Sequence, residues 1–493
     1  MSLFPPARPA LRVRVLPRLP AGITSGPGLK AALAAGLLTV GLNYQGVDLN
    51  PGDLTNRQVL VWNAVTGAYE RAPVTALPVY AQPRTQALLN VMTLGAVGND
   101  PVADTAAINA AVAQLNNSSQ QGDLYFPPIG KPFRHTGQIQ ILNDAVNVRG
   151  QACGGRNSAG STLMFENGSL NGIVFGDTTA ETSSGGVTGG GAVDLRLDGT
   201  LKTGGALLKV SKSADVVISR VTAVTKGNGF DVYGSNNTKV LGCRISLQAG
   251  SAEERFCLKW SGDDVKRSDG LNLNDTILDA GGVGINIIWD GFAHSLGIDK
   301  TKMLYGLRGL WVRNLLASHS NYPQFLEAMA LHFDGGTGSA LLVEVGRGFR
   351  LIVPDFYNLP GDHAVQLLKG PATDPTANIQ IDGGRIGNAG GDCIYCEAQY
   401  VRIVGVQMTD GSKLGAGQYG ALHFGGSAYR IQVDGGWAGS VQGTAENHGY
   451  AVKLDQGARY IDIDGLDCGG AQRGLINNST GSDITLRLLY AAA

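Results

Sequence analysis

Along most of the chain, apolar residues recur at alternate positions in short bursts. They read VDLRLDG (from 193), DVVISRV (215), TKVLGCRI (238), NIQIDGG (378), YVRIVGV (400), YRIQVDGG (429), YIDIDGL (460) and DITLRLL (483). Alternation of this kind sends one set of side chains inward and the next outward, as in a β-strand. The bursts starting at 193, 215 and 238 lie 22 and 23 residues apart, and those at 378 and 400 lie 22 apart. A repeat of that length predicts a parallel β-solenoid, in which each coil buries its apolar face only by stacking on its neighbours.

One early stretch has a different period. After Asp104, the sequence DTAAINAAVAQL places Ile108, Val112 and Leu115 at i, i+4 and i+7, which predicts an amphipathic helix over 104–115 with Asp104 as its N-cap. A solenoid leaves an open apolar end, and this helix is the natural cover for it. The other end, LRLLYAAA, shows no cap, so trimer packing or a partner is expected to cover it. A weaker helical pattern spans Pro323 to Met329.

Residues 1–85 read differently again: a Pro-rich start, two β-like runs flanking Trp62 and Tyr69, and the two-proline linker Pro78 to Gln86. A small separate module followed by a domain over 86–493 is the expected organisation.

Composition sharpens the solenoid reading. Glycine is 72 of 493 residues, about twice the usual ~7%, as corners needing positive φ would require. Asp198, Asp382, Asp434 and Asp464, which recur at the ends of bursts, are expected to be turn residues bonding local backbone. Charged residues are only 16%, and 39 Lys plus Arg against 40 Asp plus Glu leave no basic field for nucleic acid. The longest apolar run, Ala31 to Leu42, falls well short of the roughly 20 residues that span a bilayer, so no membrane insertion is expected. The N-terminus lacks the basic-then-apolar pattern of an export signal. Six scattered cysteines offer no paired zinc motif and read as small buried thiols; no metal or other cofactor is expected.

The segment LGAVGNDPVADTAAINAAVAQL, followed by GDLYFPPIGKPF, resembles the N-terminal signature of the pectate-lyase-like right-handed β-helix superfamily. Matching positions include Gly95, Ala96, Gly98, Asp104, Thr105, Ile108, Gly122, Pro127 and Gly130, while Asn99, Asp100 and Ala103 depart from it. The resemblance implies an all-β, right-handed parallel β-helix with an N-terminal capping helix. It says little about chemistry, since the superfamily holds lyases, hydrolases and adhesins. The segments before it look like the virion-anchoring modules of bacteriophage tailspikes and tail fibres, which implies a homotrimer attached to other virion tail proteins through residues 1–85. A phage protein released by lysis needs no export signal.

A second strand per coil can be aligned by its apolar positions: 287–290, 310–313, 331–334, 366–369, 394–397, 422–425 and 452–455. One outward column then reads Ile288, Trp311, His332, Leu367, Tyr395, His423 and Lys453, whose flat amphipathic rings suit a sugar chain. The next outward column reads Asp290, Arg313, Asp334, Lys369, Glu397, Gly425 and Asp455. Its alternating signs make a salt-bridge ladder one reading. The other is catalysis. Asp334 and Glu397 would stand two levels apart, about 9.6 Å, at the edge of the ~6.5–9.5 Å carboxyl spacing of inverting glycosidases. Flanking Arg313 and Lys369 favour Asp334 as base and Glu397 as acid, with Asp290 and Asp334 as an equally spaced alternative. Trp311, His332, Tyr395, His423 and Arg313 would bind substrate.

The insertion at 315–330, carrying Tyr322, Phe325 and Glu327, breaks the repeat and is expected either to wall the groove or to cover a neighbouring subunit. Segments 262–265 (GDDV) and 391–394 (GDCI) faintly resemble the G-D-D-C segment of polygalacturonases, without the partner motifs that would carry that catalytic set over. Only 253–270 offers the carboxylates a calcium-dependent lyase would need. The expectation is a tailspike-like virion protein that binds and cleaves a bacterial surface polysaccharide, hydrolysis favoured over elimination. The alternatives are a non-catalytic β-helix adhesin or structural tail component and a cellular polysaccharide lyase, the latter disfavoured by the absent export signal.

Overall fold

The computed structural model describes residues 29–34, 37–42, 58–63, 68–73 and 87–489, apart from 118–121, 152–159, 178–185, 251–253, 316–320, 441–447 and single positions 374, 416, 470 and 482. The chain divides into two compact units, 1–84 and 85–493. Within the first, Leu29–Ala34 pairs antiparallel with Leu37–Leu42, and Gln58–Asn63 with Ala68–Pro73, the latter setting Trp62 opposite Tyr69.

The second unit is a right-handed parallel β-helix. Each full coil visits three faces in turn. The first face is a 13-stranded parallel sheet, and the second and third alternate within one 27-stranded sheet. One coil, for example, runs through Ile285–Gly291 on the first face, Ala293–Asp299 on the second and Lys302–Leu304 on the third. Register is held by identical inward positions. On the first face Leu258, Ile287, Leu310, Leu341, Val365, Ile394, Leu422 and Val452 stack in consecutive coils, all fully buried. A one-residue slip would turn this column to solvent, so the apolar pattern fixes the stacking. Trp260 and Trp289 stack at 5.4 Å between ring centres, and Phe349 follows at 5.3 Å.

The helix runs Pro101–Asn117 and packs Ala107, Ile108, Ala111 and Leu115 into the core. Its N-cap is not Asp104. The Asp100 carboxylate accepts the N–H groups of Val102 and Ala103 at 2.9 and 3.1 Å. Asp104, fully buried in the first turn, instead accepts from Val97, Gly98 and Arg134 at 2.9, 2.9 and 3.0 Å. It ties the entering chain to the first coil, using the same lone pairs for a longer-range purpose.

Three further expectations change. The segment at 323–329 is not helical: Gln324–Met329 is a second-face strand, because ladders to Ala293–Asp299 and Arg347–Ile352 outweigh its local propensity. Asp198 does bond local backbone, at Thr200, but Asp382, Asp434 and Asp464 pair with Arg350, Arg402 and Arg487 in neighbouring coils. Positive φ at the turn between the second and third faces belongs to Gly383, Gly405, Gly435 and Gly465, but also to Lys300, Ala330 and Val353. Glycine is therefore the preferred corner residue without being a required one. Cys243, Cys257, Cys393, Cys396 and Cys468 are buried free thiols, while Cys153 lies outside the described residues.

Candidate active site on the first face

The true register of the first face separates the residues expected to act together. The strand after Arg308–Arg313 on this face is Leu341–Val343, and Val365–Leu367 follows it. The outward column is therefore Ile288, Trp311, Leu342, Gln366, Tyr395, His423 and Lys453. His332 and Asp334 belong to a third-face strand, His332–Asp334, between Lys302–Leu304 and Asp355–Tyr357. There His332 Nδ1 lies 2.9 Å from Asp355, and Asp334 accepts from Asn358 at 2.7 Å. The pairs Asp334 with Glu397 and Asp290 with Asp334 thus fall on different faces. Leu367 points into the core, with Gln366 taking its outward place. The cause is that apolar-x-apolar bursts occur on all three faces, so 331–334 and 341–343 match the same template. Counting three bursts per coil from Trp311 would have assigned them.

Asp290 and Arg313 do come together, in a closed cluster. Arg313, 3% exposed, donates through Nε to Asp290 at 2.9 Å and through both terminal nitrogens to Glu254, at 2.5 and 2.9 Å. Asp290, fully buried, also accepts the Leu315 N–H at 2.8 Å. The Trp311 ring has the guanidinium groups of Arg308 and Arg313 at 4.3 and 4.2 Å, and its N–H donates to Glu344 at 2.9 Å. The Arg313 guanidinium and both Asp290 oxygens are occupied within the protein, which is the geometry of a structural clamp.

A second cluster lies further along the face, and Asp392 organises it. Fully buried, Asp392 accepts the Gly420 N–H at 2.7 Å and the Tyr450 hydroxyl at 2.5 Å, and lies 2.9 Å from His423 Nδ1. His363 Nδ1 is 3.3 Å from the same carboxylate, but it already receives the Asp392 N–H at 2.8 Å, so this is a contact and not a donated bond. Burial opposes the charge on Asp392. The donors around it, the His423 imidazole and the Tyr450 hydroxyl among them, outweigh it and hold the carboxyl well below its ordinary range.

His423 carries this order outward. Its Nε2 is 2.9 Å from Asp455, so each ring nitrogen faces a carboxylate, and both can donate only as imidazolium. Burial alone would lower the imidazole. The hydrogen bond and charge of Asp392, with the bond to Asp455, overcome it and raise His423 above its ordinary value. Lys453 stands 3.5 Å from the other oxygen of Asp455. One coil before His423, Tyr395 donates to Glu397 at 2.9 Å, and its ring stacks on His363 at 5.1 Å. Burial, with the Glu397 bond, raises the Tyr395 phenol and keeps it a donor.

Glu397, Gly425 and Asp455 occupy three successive levels of one outward column. Gly425 carries no side chain, and the space a Cβ would take is already filled by Glu397 and by the Tyr395 hydroxyl, 3.0 Å from that point. A Cβ there would meet Glu397 Cγ at 2.7 Å and Oε1 at 3.2 Å, so Glu397 leans over the middle level. Its carboxyl is thereby nearer Asp455 than the about 9.6 Å of backbone rise.

Glu397, Tyr395 and His423 from the sequence analysis therefore converge, while Asp392, His363, Tyr450 and Asp455 complete the site without having been chosen. The faint motif at 391–394 was the available signal for Asp392. Of the described carboxylates of 253–270, Glu254 binds Arg313, and Asp263 accepts from Tyr233 and from the N–H groups of Val265 and Lys266; Glu253 lies outside the described residues. Among the described residues no three His, Cys, Asp or Glu side chains are grouped to hold a metal ion. No helix of the described residues is long and apolar enough to cross a membrane.

No protein-family profile and no curated protein sequence matches the chain. Solved structures do. Tailspike protein 3 of bacteriophage CBA120 superposes with a TM-score of 0.53 at 11% identity, over 87% of this chain and 65% of that one. A family 28 exopolygalacturonase of Yersinia enterocolitica gives 0.51 at 10% identity, over 80% and 78%. The A-module of an Azotobacter vinelandii mannuronan C-5 epimerase gives 0.49 at 17% identity, over 82% and 99%. At these identities the likeness to the tailspike and the exopolygalacturonase is one of fold alone, a right-handed parallel β-helix.

Proposed function

We propose that the chain is a phage tailspike-like receptor-binding protein whose β-helix binds a bacterial surface polysaccharide and hydrolyses its glycosidic bonds. The observation that carries this reading is the pair Glu397 and Asp455, one level either side of Gly425 in an outward column. Asp455 stands between the His423 imidazole and the Lys453 ammonium and acts as the base that activates water. Glu397, which receives only the neutral Tyr395 phenol, protonates the leaving oxygen. The spacing, below about 9.6 Å, admits the ~6.5–9.5 Å carboxyl separation of inverting glycosidases, and the configuration of the product tests that assignment. Tyr395 and His363 offer ring faces to the sugar. Residues 1–85 would attach the protein to the virion tail, with the β-helix acting as a homotrimer at the host surface.

The test is incubation of the full chain with purified capsular and O-antigen polysaccharides. Expected are new reducing ends of inverted anomeric configuration, without the absorbance of unsaturated uronate. Glu397→Gln and Asp455→Asn should each cut turnover by about 10²–10⁴-fold while the protein still folds and binds. Binding without any new ends would favour an adhesin, and wild-type turnover in both variants would reject the residue assignment.

A further inference from the structure

The second face carries a column of left-handed residues, one per coil, at the start of each strand. Reading up the ladder it is Asn237, Gly270, Ser295, Phe325, Gly348, Asn378, Tyr400, Arg430, Tyr460 and Asp483, with φ between 48 and 77° throughout. Five of the ten are Gly, Asn or Asp, which tolerate that geometry. Phe325, Tyr400 and Tyr460 do not. Their side chains are 58, 44 and 41% exposed, each only partly covered by a neighbouring ring: Phe325 meets His294 edge-on at 6.3 Å, and Tyr400 and Tyr460 flank Tyr429 at 5.9 and 5.1 Å.

The space beside Phe325 and Tyr400 supplies the reason. Two shallow grooves of about 380 and 320 Å³ lie side by side and share Gly348 and Arg350 in their linings, making a trough that runs from Asn272 past Phe325 to Tyr400 and Arg402. Phe325 and Tyr400 are three levels apart, about 14 Å, a length that holds about three sugar rings. Gly297 vacates the outward position between Asn272 and Glu327, and Glu327, Gln380 and Arg402 supply hydrogen-bonding groups along the trough. Arg350 and Arg402 are each paired, to Asp382 and Asp434, so the trough is polar without strong net charge.

We infer that this trough is a second, non-catalytic glycan-binding site, which holds a neutral or weakly charged stretch of the polysaccharide by stacking on Phe325 and Tyr400. It lies on a different face from Glu397 and Asp455 and would hold the polymer while the first face cleaves. The inference rests on the polysaccharide reading above. A second copy of this chain seated on the same face is the competing occupant.

The column itself provides the conservative variant. Asn occupies the same position at 237 and 378, so Phe325→Asn with Tyr400→Asn removes both rings and relieves the backbone. The probe is a printed array of bacterial capsular and O-antigen polysaccharides, with the full-length chain. Expected are a Tm equal to or above wild type, an unchanged oligomeric state by light scattering, and about tenfold weaker retention on the glycans that wild type holds. Cleavage of short fragments should stay at the wild-type rate. Wild-type retention by the double variant would overturn the trough while leaving the first-face reading intact. A changed oligomeric state would overturn it in favour of a subunit contact. An array that retains no wild-type protein would defeat the polysaccharide reading and the trough together.

Discussion

Asp290 and Asp455 stand on the same face of the β-helix, each paired with a cation, and they differ in what water can reach. Asp290 is fully buried and shares Arg313 with Glu254, so each charge is spent on another. The Asp455 side chain is 35% exposed, and its partner His423 is itself held from behind by buried Asp392. One cluster is centred on a fully buried carboxylate; in the other the Asp455 carboxylate stays partly in solvent. An alternating row of charges can thus be a stacking device at one end of a sheet and, on the reading proposed above, a reactive surface at the other. Burial decides which.

If that contrast holds, the two clusters should fail differently. Asp290→Ala leaves a buried guanidinium short of a partner and should destabilise the β-helix by about 3–5 kcal/mol, read as a lowered denaturation midpoint. Turnover of the protein that remains folded should not change. Loss of hydrolysis at full stability would instead put Asp290 in the chemistry and collapse the distinction.

His423→Gln should act the other way, with turnover down roughly 10–100-fold and little change in the midpoint at alkaline pH, where the wild-type imidazole is neutral. The pH dependence sharpens the test. Because His423 is raised in the folded state, its contribution to stability is fully present below about 6.5, the ordinary imidazole value, and is lost as pH rises through the raised value. The wild type should therefore show an alkaline fall in midpoint and in turnover that the Gln variant lacks. An identical profile in both would mean that His423 does not set the state of Asp455. The smallest effect is expected at Trp311→Ala, about 1–2 kcal/mol from the lost stacking of two guanidinium groups, again with turnover intact.

The alternation, the 22-residue spacing and the glycine content together determine a parallel solenoid, because stacking requires every coil to repeat the same inward positions. The helix near 104–115 was equally legible, from periodicity over its whole length. Which face each burst occupies was not. Leu331–Asp334 and Leu341–Val343 satisfy one template, and only closure of the coil sends the first to the third face and the second to the first. Function follows that choice: it separates Asp334 from Glu397 and sets Glu397 two levels from Asp455. The burial of Asp392 was likewise invisible in sequence, since its partners Gly420, His423 and Tyr450 are 28 to 58 residues away and converge only through the stacking of coils. Local pattern determines the repeating unit, whereas the chemistry depends on contacts between units, which exist only once the coils have stacked.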